Sequence, residues 1–183
     1  MPKNRFRVAV RVLKLKLKNL FLGSGGFDSY HFQFQWENDY GKSHDPDPRE
    51  VISRIRMLGE SLVVCEIGAG YGRVIGAFPN SFKLIALEPN EMLFNALRKN
   101  PNIQAIQLAA KNLPRNLDVD VFFSVRALHY VGVIESYYLL SRMRKYYPKS
   151  IFIVWERKDT CRRLRLANKF ALSKNMFFEE LFN

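Results

Sequence analysis

The sequence has little cysteine and no long apolar run. Cys65 and Cys161 are too few for a disulfide framework, which favours a reducing compartment. Charged residues break every apolar stretch before it reaches the ~18 residues that a membrane span needs. They also interrupt the apolar N-terminus, so a secretory signal is not expected. These absences predict a cytoplasmic protein, and 183 residues are enough for a domain with its own core.

Acidic residues are absent from residues 1–20 and scarce after residue 141. The net charge of +12 divides into +7 for residues 1–20, −2 for residues 21–141 and +7 for residues 142–183. Such basic ends favour a polyanion as partner: nucleic acid, anionic lipid or a phosphorylated substrate. The N-terminal part is both basic and amphipathic, which is typical of a segment that contacts a membrane surface peripherally. A solvated surface that keeps the protein in solution is an equally good interpretation.

The chain is predicted to divide near residue 46, and two of its three histidines lie before this point. Residues 1–46 are interpreted as a basic arm and an aromatic flap, and residues 47–183 as the folded domain. The flap either packs on the core or forms part of a substrate lid; its aromatic residues are Phe27, Tyr30, Phe32, Phe34, Trp36 and Tyr40. His31 and His44 lie in this flap without metal-ligand spacing, so no metal site is predicted.

From Leu62 onward, short apolar runs alternate with helical patterns. This alternation predicts a three-layer, Rossmann-like α/β domain, with a mostly parallel, doubly wound sheet and helices on both faces. Strands are predicted at residues 62–67, 82–87, 103–108, 119–124, 150–155 and 176–182. Helices are predicted at residues 48–59, 71–78, 90–99, 133–147 and 161–174. In the third helix, Met92, Leu93, Ala96 and Leu97 are expected to face inward.

A glycine-rich turn, EIGAGYGR at residues 66–73, follows the first predicted strand. Glycines at alternate positions let the backbone turn sharply and leave room for a ligand. The helix expected next presents free N–H groups that favour an anion. The dinucleotide fingerprint needs a glycine where Arg73 stands, and the lysine of a P-loop is missing. A different nucleotide-binding motif is therefore indicated.

This turn resembles the first motif of class I S-adenosylmethionine-dependent methyltransferases. Residues 88–93 resemble the acidic second motif, residues 107–114 the segment after the third strand, and residues 118–131 the fourth motif of the small-molecule, methyltransferase-11-like branch. The resemblance spans residues 62–155 and implies an enzyme with S-adenosylmethionine as cofactor. It also implies a seventh, antiparallel strand. Because only 28 residues follow Trp155, a shortened C-terminus with an open sheet edge is expected.

The resemblance assigns roles to individual residues. Glu88 would accept the ribose hydroxyls, and Glu66 would help to hold the amino group of the cofactor, unless it only caps loop amides. The family's usual Asp, which accepts from the adenine amino group, is replaced by Ala109. The full set predicted to bind the cofactor is Glu66, Gly68, Ala69, Gly70, Tyr71, Gly72, Glu88, Pro89, Ala109, Ala110, Val125 and Arg126.

Arg126 stands where the branch usually has a small or polar residue, and it is expected to bind an anionic substrate or to close over the cofactor. His129 is the histidine nearest the predicted site. It is the candidate catalytic base for an acceptor that must lose a proton, with a purely structural role as the alternative.

The predicted function is methyl transfer to a small molecule or a sugar-type hydroxyl. An RNA methyltransferase is one alternative, favoured by the basic ends. A catalytically silent, methyltransferase-like auxiliary domain is another, favoured by Ala109, Arg126 and the short tail. Either a homodimer contact or the N-terminal arm is expected to cover the open sheet edge, and a homodimer is therefore a further prediction.

Overall fold

A computed structural model describes residues 46–171 and 175–181 of the chain. Within them, six parallel strands form one sheet with the order β3-β2-β1-β4-β5-β6. The strands are β1 (Val63–Ile67), β2 (Lys83–Leu87), β3 (Ile103–Ile106), β4 (Val121–Val125), β5 (Ile151–Arg157) and β6 (Met176–Leu181). The predicted arm and flap, with His31 and His44, lie outside the described residues apart from Pro46.

The described part of the chain also contains four α-helices, the first of which precedes β1, and three short 3-10 helices. The α-helices are α1 (Pro48–Arg56), α2 (Glu91–Leu97), α3 (Val133–Tyr146) and α4 (Lys158–Ala171). The 3-10 helices are Ile75–Ala77, Ala110–Asn112 and Leu128–Tyr130. No helix in these residues is both long enough and apolar enough to cross a membrane.

Apolar side chains cover both faces of the sheet. Ile55 of α1 and Leu97 of α2 belong to the cluster on one face. Leu140 of α3 and Leu164 of α4 belong to the cluster on the other face. This arrangement confirms the predicted three-layer α/β fold, and the described strands are all parallel.

The start of α1 follows from its sequence. The Asp47 carboxylate accepts a hydrogen bond from the backbone N–H of Arg49 at 2.8 Å, and Pro48 occupies the first turn, where no N–H is needed. Val51 and Ile55 are then buried on one side of the helix. The predicted helix start is confirmed, and the helix ends at Arg56 rather than near residue 59.

Two helix predictions are wrong in detail. The helix predicted at residues 71–78 is a turn followed by the 3-10 helix Ile75–Ala77, because Gly72 has φ +80° and interrupts the right-handed geometry. In α2, Leu93 and Leu97 are buried as predicted, but Met92 is exposed and Ala96 is half-buried. With only seven residues, α2 has a narrow buried side at i and i+4.

The order of the strands places a crevice at the carboxyl edge of the sheet. The chain proceeds from β1 to β2 on one side, while β4 lies on the other side of β1. The connections that follow β1 and β4 therefore leave in opposite directions, which is the topological switch point of an open α/β sheet. The loops that carry the predicted motifs meet at this point.

Replacing Leu139 of α3 tests the packing of this layer. Leu139 is fully buried, so Leu139→Ala is expected to lower the free energy of unfolding by about 2–5 kcal/mol. Its neighbour Tyr138 is 55% exposed, and Tyr138→Ala is expected to lower it by about 1 kcal/mol or less. Urea unfolding of both variants measures the difference; equal losses would contradict the orientation of α3.

Candidate functional site

A cavity of about 360 Å³ opens at the switch point. Loops that follow β1, β2, β3 and β4 contribute to its lining, together with the first turn of α3. Its lining residues are Glu66, Ile67, Gly68, Ala69, Gly70, Tyr71, Arg73, Val74, Glu88, Pro89, Leu93, Ala109, Ala110, Lys111, Val125, Arg126, Ala127, Leu128, Tyr130, Val131 and Glu135. Its size is within the ~300–1,000 Å³ typical of small-ligand sites.

The glycine turn after β1 forms one side of the cavity. The backbone N–H groups of Gly68 and Ala69 donate to the carbonyl of Leu87 at 2.8 and 3.1 Å, which ties the turn to β2. At Gly68, with φ +75°, a Cβ would lie 2.3 Å from the Cβ of Ala127. At Gly70, with φ +58°, a Cβ would meet no atom within 4 Å. Gly68 thus permits close packing of two loops, whereas Gly70 faces open space.

Glu88 follows β2 and is almost fully buried. One carboxylate oxygen accepts from the N–H of Gly70 and the other from the N–H of Asn90, both at 2.8 Å. Burial raises the pKa of Glu88, and these two hydrogen bonds act in the opposite direction. The carboxylate therefore links the glycine turn to the start of α2 at the cavity wall.

Glu66 is the penultimate residue of β1 and is also buried. Its carboxylate accepts from the N–H of Ile75 at 3.0 Å. Burial raises the pKa of Glu66 to about 8, the hydrogen bond and the charge of Arg73 oppose this shift, and the charge of Glu88 adds to it. In the ligand-free protein Glu66 is therefore mainly uncharged at neutral pH.

The far side of the cavity comes from the loops after β3 and β4. Ala109 precedes the 3-10 helix Ala110–Asn112 and offers no side-chain acceptor. Lys111 pairs with Glu135 of α3 at 2.7 Å. Arg126 has φ +50°, which is uncommon for a residue other than glycine, and its N–H donates to the carbonyl of Trp155 on β5 at 2.9 Å.

The structure brings the predicted cofactor-binding residues together around this cavity, with Gly72 as the exception. A Cβ at Gly72 would lie 2.6 Å from Cδ1 of Leu97, so its place is in packing against α2. Three charged lining residues that the sequence analysis did not include are Arg73, Lys111 and Glu135. Arg73 and Lys111 each follow a predicted residue directly in the chain. Glu135 pairs with Lys111 from α3, and spacing along the chain does not predict such a contact.

His129 does not line the cavity, although both of its neighbours do. Its ring lies against Tyr130, with ring centroids 3.8 Å apart, and its Nδ1 is 3.9 Å from Oε2 of Glu156. Burial and the charges of Arg126, Arg157 and Arg163 lower the pKa of His129 to about 4. The imidazole is therefore neutral at physiological pH and does not line the cavity.

Solved structures of methyltransferases resemble this fold. A TehB-like S-adenosylmethionine-dependent methyltransferase from Corynebacterium glutamicum has a TM-score of 0.57 and 12% identity, over 76% of this chain and 82% of that one. A sugar N-methyltransferase from Streptoalloteichus has a TM-score of 0.53 and 14% identity, over 72% and 55%. The plantazolicin methyltransferase BpumL, solved with SAH, has a TM-score of 0.57 and 14% identity, over 80% and 60%.

At these identities the similarity shows the fold, which is that of class I S-adenosylmethionine-dependent methyltransferases. It agrees with the resemblance found in the four sequence motifs. This chain matches little more than half the length of the sugar and plantazolicin enzymes. No protein-family model matches the chain, and no curated protein matches it in sequence.

The raised pKa of Glu66 predicts a pH-dependent stability. The folded protein binds the Glu66 proton more tightly than the unfolded chain does. The resulting stabilisation of the fold is complete below the pKa that Glu66 has in the unfolded chain. It is lost as pH rises through the folded-state pKa of about 8. Glu66→Gln stays neutral and keeps an oxygen for the Ile75 N–H. The Tm of Glu66→Gln relative to wild type is expected to rise by more than ~3 °C between pH 5 and pH 9.

Scanning calorimetry at the two pH values measures this change. Glu60→Gln removes an exposed carboxylate and controls for the general effect of losing one negative charge. A Tm difference for Glu66→Gln that is the same at both pH values would contradict the buried, proton-binding state of Glu66.

Proposed function

We propose that the protein is an S-adenosylmethionine-dependent methyltransferase that acts on a small molecule or a sugar-type hydroxyl. The observation that carries the proposal is the buried Glu88 carboxylate beside the open glycine turn, in the cavity of a class I methyltransferase fold. One of the similar structures is that of a sugar N-methyltransferase, which supports a small acceptor here.

The residues present fit this cofactor. Each oxygen of Glu88 accepts one backbone hydrogen bond and retains a lone pair for a ribose hydroxyl. The open space at Gly70 leaves room for ligand atoms close to the backbone. A positively charged amino group near Glu66 would stabilise the ionised form of this carboxyl group, which burial disfavours. The fit is incomplete at Ala109, whose side chain offers no acceptor for the adenine amino group.

When bound, S-adenosylmethionine supplies a methyl group attached to a positively charged sulfur. Glu88 would orient the ribose, and the glycine turn would fix the methionine portion. Val125, Ala127 and Leu128 line the opposite side and exclude water from it. Methyl transfer is an in-line displacement, so the main contribution of these residues is to position the two reactants.

A hydroxyl acceptor must also lose a proton. His129 is the candidate base from the sequence; its imidazole is neutral at physiological pH, but a pKa lowered to about 4 makes it a weak base. Its ring does not line the cavity, so this role requires the side chain to turn toward the acceptor. Tyr130 lines the cavity and would hydrogen-bond the acceptor.

Glu88→Gln tests cofactor binding. The substitution keeps the side-chain volume but replaces one oxygen by an amide nitrogen that cannot accept a ribose hydroxyl. We expect binding of S-adenosylmethionine and S-adenosylhomocysteine to weaken at least about tenfold, the effect of losing a hydrogen bond to a charged group. Isothermal titration calorimetry measures both ligands, with NAD as the control ligand.

Glu91→Gln is the matched control variant, because Glu91 is an exposed carboxylate at the start of α2, outside the cavity lining. It is expected to bind like wild type. If folded wild-type protein binds neither ligand, the proposed function is wrong. That result favours the second candidate, a catalytically silent methyltransferase-like domain, which the missing acceptor at Ala109 already supports.

Ala109→Asp tests the incomplete part of the fit. The new carboxylate would accept from the adenine amino group, and we expect S-adenosylhomocysteine to bind about five- to tenfold more tightly. The inosine analogue lacks this amino group and is expected to gain nothing. Equal gains for both ligands in calorimetry would show that the substitution acts on the loop and not on adenine.

A further inference from the structure

The wall segment, residues 125–131, forms the side of the cavity that faces the glycine turn. All of its residues except His129 line the cavity. The segment includes Arg126 at φ +50°, a conformation that surrounding contacts must stabilise in a residue other than glycine. It also packs closely on the glycine turn, because a Cβ at Gly68 would lie 2.3 Å from that of Ala127. The shape of the cavity therefore depends on what holds this segment.

Glu156 of β5 holds the N–H groups of the wall segment. Its side chain has no exposed surface, and Oε1 accepts from the N–H of Leu128 at 2.6 Å. The backbone of Ala127 provides another hydrogen bond to this carboxylate. Neither Glu156 nor any other residue of β5 lines the cavity. Glu156 therefore acts on the cavity only through the wall segment.

Arg163 of α4 holds the carbonyl groups of the same segment. Its Nη2 donates to the carbonyl of His129 at 3.1 Å, and its Nη1 to that of Val131 at 3.5 Å. Nη2 also donates to the hydroxyl of Thr160 at 3.2 Å, which fixes the guanidinium on α4. Arg163, too, lies outside the cavity lining.

Both side chains leave one buried polar atom without a hydrogen-bond partner in the described part of the chain. These atoms are Oε2 of Glu156 and Nε of Arg163. Leaving buried polar atoms unsatisfied is unfavourable, and these two atoms do not satisfy each other. The hydrogen bonds that the two side chains do make converge on the wall segment.

We propose that Glu156 and Arg163 form a clamp that positions the wall segment against the glycine turn and thereby sets the affinity for the adenosyl cofactor without touching it. The identity of this ligand rests on the proposed function, whereas the clamp itself rests on the hydrogen bonds of the ligand-free protein. Both are positioning residues, because they act through residues 126–131.

The strength of the clamp depends on the charge of Glu156. Burial raises the pKa of Glu156 to about 7, against the effect of its backbone hydrogen bonds and of Arg126 and Arg163. The titratable or charged groups that face it are Arg126, His129 and Tyr130 from the chain after β4 and Arg163 from α4, with Arg157 next to it on β5. A carboxylate accepts N–H hydrogen bonds more strongly than a neutral carboxyl group. The clamp therefore tightens as pH rises through about 7.

Glu156→Gln isolates this charge, because it keeps the shape and one acceptor oxygen but never ionises. Amide hydrogen exchange of Ala127 and Leu128 is measured by NMR in the ligand-free, full-length chain. At pH 6 we expect exchange rates in the variant and in wild type to agree within about twofold. At pH 8.5 we expect the variant to exchange at least about tenfold faster. Comparison at the same pH cancels the intrinsic pH dependence of exchange.

The affinity for S-adenosylhomocysteine gives a second readout. The Kd of Glu156→Gln relative to wild type is expected to rise from about 1 at pH 6 to at least about 5 at pH 8.5. Arg163→Lys keeps the charge but loses the fork that reaches two carbonyls, so it is expected to weaken binding at both pH values. Ser150→Ala removes a hydroxyl hydrogen bond to Val119 at the opposite edge of the sheet and should leave the Kd unchanged.

Equal amide exchange of wild type and Glu156→Gln at both pH values would overturn the clamp. So would a Kd ratio that is independent of pH in two folded proteins, since a merely structural role for Glu156 would not follow its ionisation. If wild type binds no adenosyl ligand, the proposed function and the cofactor part of the inference fail together. The amide exchange then decides separately whether Glu156 positions the wall segment.

Discussion

The carboxyl edge of the sheet depends on one constraint: backbone N–H groups that are buried there need acceptors. Three buried glutamates meet this need at or next to the ends of three strands. Glu66 of β1 accepts from the residue that begins a 3-10 helix, Glu88 after β2 from two loop residues, and Glu156 of β5 from Leu128. Each glutamate therefore fixes a loop whose backbone N–H groups find no acceptor in the sheet itself. The cavity is the space between these loops.

The use of buried glutamates as hydrogen-bond acceptors has an electrostatic consequence. Burial raises the pKa of all three glutamates, because each carboxylate is removed from water. Backbone N–H groups offset part of this effect but carry only partial charge. A ligand with positive charge near Glu66 and Glu88 would stabilise their ionised forms. On the side of the cavity formed by β1 and β2, these two carboxyl groups favour a cation and Arg73 opposes it, while Arg126 and Lys111 line the side formed by later loops.

Local sequence patterns predict the side of the cavity that is formed by the glycine turn and Glu88. They do not predict that Glu156 and Arg163 fix the wall segment on the other side. Alternating glycines after an apolar strand predict the turn at residues 66–73, and the acid at the next strand end predicts Glu88. Glu156 also ends an apolar run, Ile-Phe-Ile-Val-Trp, so the signal that identified Glu66 was present there. The role of Glu156 is not predicted because its partner Leu128 is 28 positions away, and Arg163 likewise reaches His129 across 34 positions. Spacing along the chain does not predict such contacts between elements.

The position of His129 follows from these long-range contacts. Arg163 holds its backbone carbonyl, and the imidazole lies on the Glu156 side of the wall segment rather than in the cavity. Because these hydrogen bonds fix the backbone of the wall segment, His129 would reach an acceptor only if its side chain turned. An acceptor that needs no base does not depend on this movement, whereas a hydroxyl acceptor requires His129 to turn or another group to take the proton.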